Sequence, residues 1–207
     1  MTHPLMARAA AVLLVAVLAG GCTHPSRLGP PIPSGATIIG GPDMTSYPPP
    51  PPGWKERPVI PTSQQQAQDT ILGYLKKTLR ALPAGTTLDA TGYSGGTSTA
   101  PCDDNATSPK SPKDMATIGE LKLPAGVDPA AIIAKVGDIW KSWGWYVIER
   151  EGFYKPNRFG YGPDGYGLQI IARPPPGIPL TLEGISPCFP GDLPDDRSPF
   201  PMVLKAD

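Results

Sequence analysis

Residues 128–149 read DPAAIIAKVGDIWKSWGWYVIE, and this stretch decides what kind of fold the chain can build. Asp128 is a natural N-cap, because its carboxylate accepts from the unpaired N–H groups of a first helical turn. Pro129 suits the first helical position, where no N–H is needed. Ile132, Ile133, Val136, Ile139, Trp140 and Trp143 then recur at helical spacing and make one apolar stripe. Gly144 stands where a chain leaves a helix through a left-handed turn. Trp145–Glu149 switches to aromatic and β-branched residues and predicts a strand. A one-sided helix running straight into a strand needs a second layer to cover its stripe.

Working outward, an earlier helix is marked by Ser63 with Gln66 three places on, the spacing of a capping box. Ala67, Ile71, Leu72, Leu75, Leu79 and Leu82 follow helical spacing, and Pro83 with Gly85 ends the run. Between the helices, Thr86–Tyr93 and Met115–Leu123 are strand candidates, separated by a loop from Gly95 to Pro112 that holds Cys102. Beyond the second helix, Tyr166–Ala172 and Pro179–Ile185 predict a hairpin around Pro174-Pro175-Pro176-Gly177. The order is helix, two strands, helix, three strands. Its economical solution is an α+β two-layer domain over residues 62–190, with two helices packed on a mostly antiparallel sheet of four to five strands. Residues 191–207 read as a proline- and aspartate-rich tail with little to bury.

The segment before the domain differs in composition. Of 30 prolines, twelve lie between Pro25 and Pro61, so residues 22–61 predict a tether, stiffened by the run Pro48–Pro52. Before it, Arg8 supplies a positive start and Ala9–Leu18 an uncharged apolar run. As a helix, Ala9–Gly21 spans about 20 Å, short of the about 30 Å of a bilayer core. Residues 1–21 are therefore expected to be a signal peptide. Leu18-Ala19-Gly20-Gly21-Cys22 resembles a bacterial lipobox, in which the cysteine is lipidated and becomes the new N-terminus. It departs from that pattern at Ala19, where leucine is usual. Small residues at 19 and 21 also suit ordinary signal peptidase, which would leave a freely secreted protein.

The three cysteines bear on this choice. Lipidation of Cys22 leaves Cys102 and Cys188 as an even pair in an oxidising compartment, and a disulfide between them is expected, free thiols being the alternative. Closing so long a loop contributes about 4 kcal/mol on the chain-entropy account.

Histidine excludes much chemistry. His3 falls in the signal peptide and His24 in the tether, leaving none for residues 62–190. Nucleophile–histidine arrangements and most zinc sites are thereby removed. Asp103-Asp104 and Asp195-Asp196 are adjacent loop pairs, and adjacent loop aspartates are commonly turn formers. Neither glycoside hydrolysis nor a calcium site is expected from them, and no metal or cofactor is predicted. Gly160–Gly167 has the glycines of a phosphate cradle, but a strand follows it rather than a helix, so a hairpin turn is expected. Without residues 1–21 the chain carries 17 basic and 18 acidic side chains, which gives no nucleic-acid footprint.

Aromatic residues supply the candidate binding surface. Trp140 and Trp143 lie on the apolar helix stripe and are expected in the core. Phe153, Tyr154, Phe159 and Tyr161 lie among glycines and prolines, where burial is less assured. Exposed, they would suit a glycan, a lipid or a partner protein; packed, they would be structural.

Taken together, the lipobox, the proline-rich tether, Thr99-Ala100-Pro101-Cys102-Asp103-Asp104, the Trp143-Gly144-Trp145 turn and Gly184-Ile185-Ser186-Pro187-Cys188 resemble the small mycobacterial and actinobacterial lipoproteins of the Lpp type. The likeness spans roughly residues 62–190. It implies an envelope lipoprotein with a disulfide and brings no catalytic residues. The expected function is a non-enzymatic interaction domain, lipid-anchored at the outer face of the cell membrane, with an envelope protein or the cell wall as partner. The alternative is a module binding a small ligand, lipid or glycan through residues 153–166.

Overall fold

The computed structural model describes residues 47–93 and 96–206. The expected signal peptide, Cys22 and the tether as far as residue 46 lie outside the described residues. Both helices form where the capping chemistry places them. In α1 (Gln64–Arg80), Ser63 Oγ accepts from the Gln66 amide at 3.0 Å, and Gln66 Oε1 accepts from the Thr62 amide at 2.7 Å. In α2 (Pro129–Ser142), Asp128 accepts from the amides of Ala130 and Ala131.

The α+β class holds, with all strand pairs antiparallel, but the sheet is larger than four to five strands. Among the described residues it has eight: β1 (Thr87–Asp89), β2 (Thr97–Pro101), β3 (Lys113–Lys122), β4 (Tyr146–Ile148), β5 (Asn157–Tyr161), β6 (Gly167–Ile171), β7 (Leu180–Ile185) and β8 (Val203–Lys205). Their spatial order is β4-β5-β6-β7-β3-β1-β8. β3 is ten residues long, so one of its edges pairs with β7 while the other is shared by β2 and then β1.

Three strands escaped the sequence reading, each for a local reason. β2 lies inside the Gly/Ser/Thr-rich loop. β5 reads NRFGY, and its glycine breaks strand character; the Trp140 ring lies against that backbone, so a Cβ on Gly160 would come within 2.7 Å of it. β8 lies in the segment taken for a tail. That segment is bound to the domain: Leu204 pairs with Leu88, Phe200 is buried, and Gln64 and Gln68 of α1 donate to the carbonyls of Leu193 and Ser198.

The end of the tether is likewise held. The amides of Arg57 and Val59 donate to the carbonyls of Pro163 and Asp164, and Trp54 packs on Tyr146 with ring centroids 5.6 Å apart. Residues 47–61 thus form a strap along the domain.

Both helices pack on one face of the sheet. Ile71, Leu75, Leu79, Ile133, Val136 and Trp140 meet Leu88, Leu121, Leu168, Ile170, Leu180, Leu182 and Leu204 in a single core. Each fully buried side chain of this size contributes about 1.5–3 kcal/mol, so this layer carries most of the stability. Trp140 also donates from Nε1 to Thr78 Oγ1 at 3.1 Å, while Trp143 stays at the core's edge beneath Lys77. The Cys102–Cys188 disulfide is formed, with Cα atoms 6.3 Å apart. It joins the chain just past β2 to the chain just past β7, on either side of the start of β3.

Candidate binding groove on the open sheet face

Strand alternation sends the remaining side chains to the face the helices leave uncovered. Pairing registers align them in rows across the sheet. One row runs Ile148, Phe159, Gln169, Glu183, Ile118 through β4, β5, β6, β7 and β3. The next runs Tyr146, Tyr161, Gly167, Ile185, Ala116, Ser98. Two different environments result.

At the β4–β5 end, Tyr146, Ile148, Phe159 and Tyr161 are buried as a small second core, with Tyr47, Trp54, Phe153 and Ile171 packed around it. Tyr161 accepts from Arg150 Nη1 at 2.7 Å, and burial pushes its phenol up to about 12. The Arg150 guanidinium lies 5.4 Å from the centroid of the Phe159 ring, a cation–π contact.

Toward β7 and β3 the same face opens into a cavity of about 970 Å³. Phe153 and Tyr154 stand on one side; Tyr93 and the Gly96–Ser98 segment stand on the other; Gln169, Glu183, Ile118, Ile171 and Thr181 line it between them. Arg173 lines it too, donating to Glu120 at 3.1 Å. Glu120 also pairs with Lys122, and these bonds hold its carboxyl below the usual range. Among the described residues, Glu183 is the one acid on the cavity lining. Burial pushes it up to about 7, with the nearby Asp114 charge acting the same way and the hydrogen bond from Gln169 opposing both.

The four aromatic candidates are therefore divided. Phe159 and Tyr161 are buried under the strap. Phe153 packs on Phe159 with tilted rings, centroids 4.7 Å apart, and also lines the cavity, and Tyr154 stands at its rim, 63 % exposed. Sequence reasoning missed Gln169 and Glu183. A signal existed: each is the polar position opposite leucine or isoleucine in one arm of the expected hairpin, YGLQIIA and PLTLEGI. Their pairing across that hairpin needed the register.

Several other carboxylates are engaged elsewhere. Glu149 is paired with Lys155 and Arg158, Glu151 with Lys155, and Asp195 with Arg197, which draws the Asp195 carboxyl down to about 2. Asp103 caps its own turn by accepting from the Asn105 amide. Gly160–Gly167 forms the β5–β6 turn, with Gly165 at φ +85°. Among the described residues no group of three or more His, Cys, Asp or Glu side chains is placed to hold a metal ion, and no helix is long and apolar enough to cross a membrane.

Fold and site together define a two-layer α+β domain with a groove on its open sheet face. No family model, curated protein or solved structure matches this chain.

Proposed function

We propose that this chain is an exported, non-catalytic binding domain, held at the extracytoplasmic face of the cell membrane by lipid on Cys22, whose open sheet face takes a small ligand. The observation that supports a ligand best is the groove. Its volume of about 970 Å³ falls in the range of small-molecule sites, and its lining combines aromatic walls with a few convergent polar groups. A concave site of this kind suits a small ligand better than the flat surface of a protein partner or of the cell wall.

The anchor rests on the lipobox-like sequence, the cysteine parity and the Lpp-type resemblance. Mass spectrometry of the membrane fraction tests it. Wild type should carry acyl chains on Cys22, and Cys22→Ala should be released or remain unprocessed. An unmodified, soluble wild-type chain would overturn the anchor. A non-catalytic role is supported by the lack of histidine in residues 62–190 and by the single acid that the described residues place on the groove lining, since carboxylate-based glycoside hydrolysis needs two.

A further inference from the structure

We infer that the ligand of this groove is a neutral saccharide, with a sugar ring lying against Phe153 and Tyr154 and its hydroxyls hydrogen-bonded to Gln169 and Glu183; this rests on the groove being a binding site.

Charge argues for a neutral occupant. Among the described residues the lining carries one cation, Arg173, already bonded to Glu120, and one acid, Glu183. A carboxylate or phosphate head group would meet that acid without a spare counter-charge, and it would have to break the Arg173–Glu120 pair to gain one. A cationic occupant would find a single carboxyl on the lining, Glu183, already bonded to Gln169, with the Arg173 cation on the same lining.

The arrangement of polar groups argues against an alkyl chain. Gln169 and Glu183 sit side by side across the β6–β7 hairpin, where Gln169 Nε2 donates to Glu183 Oε2. That single bond leaves Oε1 of each residue without a protein partner among the described residues. An alkyl chain laid over them would strip their water and return no hydrogen bond, which costs about 1–3 kcal/mol per group. A polyol replaces that water with its own hydroxyls. Glu183 serves it in either protonation state, accepting when ionised and donating when protonated. Ser98 and Thr181, which the registers place on this same face, line the cavity as well.

The aromatic wall completes the match. One face of a pyranose ring carries mainly C–H groups and is apolar, so it can cover an aromatic ring while its edge hydroxyls reach polar partners. Tyr154 is exposed with no ring packed on it among the described residues, unlike Phe159 and Tyr161.

Calorimetry on the mature chain in phospholipid vesicles, with empty vesicles as blank, tests this with four probes: maltotriose, an N-acetylglucosamine trisaccharide, palmitate and a tetralysine peptide. A trisaccharide should bind, Tyr154→Ala should weaken it at least fivefold, and Gln169→Leu at least tenfold. Lys141→Ala, on the helix side, should leave it unchanged. Each variant's melting curve checks that it is folded. Palmitate or tetralysine bound in the trisaccharides' place, and lost in Tyr154→Ala and Gln169→Leu, would overturn the saccharide and keep the groove. Binding indifferent to both groove variants, or no binding by any probe, would overturn the groove as well.

Discussion

The two faces of the sheet are built by the same strands, one residue up and the next down, yet they differ in how completely they are filled. On the helix side, backbone and side chains are pressed together. A Cβ at Gly160, Gly184 or Gly119 would come within 2.7, 2.5 or 2.8 Å of Trp140, Ile71 or Leu88. On the open side, the row through Gln169 and Glu183 borders a cavity, and the strap covers only the β4–β5 end. Close packing is thus concentrated in the layer that stabilises the fold, while polar and partly exposed groups collect on the other face. A β-sheet permits this because its period of two separates the requirements of its faces.

Paired truncations measure the contrast directly. Leu182→Ala on the fully buried side should cost about 2–5 kcal/mol, whereas Ile118→Ala beside the groove should cost about 1 kcal/mol, both read from denaturant midpoints at constant slope. Equal losses would show that the open face is packed as tightly as the core.

Glu183 provides a second probe of that face. Burial raises its pKa from 4.5 to about 7, so the folded chain keeps a proton that the unfolded chain releases across that window. Gln169 and Asp114 are the groups acting on it. Its contribution therefore favours folding most below about pH 4.5, and stability falls by up to about 3 kcal/mol as the pH rises through about 7. Glu183→Gln should remove this slope, being more stable than wild type at pH 8 and indistinguishable from it at pH 4. An unchanged slope in the variant would mean that Glu183 is solvated rather than buried.

The smallest expected effect is at the rim. Tyr154→Ala should change the unfolding free energy by no more than about 0.5 kcal/mol, because an exposed ring has little packing to lose. A larger loss would place Tyr154 with the structural aromatics beneath the strap. Its loss of ligand binding with stability intact would separate the two roles.

Much of the frame was legible without coordinates. Asp128, Pro129 and Gly144 bounded the second helix, because caps act over one turn of chain. Ser63 and Gln66 did the same for the first. The β6–β7 hairpin was legible from strand character on both sides of a proline-rich turn. Legibility failed wherever a residue was chosen for a distant neighbour. Gly160 looked like loop because Trp140 occupies the space of its side chain, and Phe200 looked superfluous because its partners lie about a hundred residues earlier.

By itself, then, the sequence determined the α+β class, the placement of both helices and the expectation of a lipid anchor at Cys22, since all of these rest on signals within a few residues of one another. The tertiary structure decided that the sheet has eight strands, that Phe159 and Tyr161 are buried while Phe153 and Tyr154 reach a groove, and that Gln169 stands beside Glu183. Those facts depend on strand register and on what covers each face, and both arise from contacts between segments far apart in the chain.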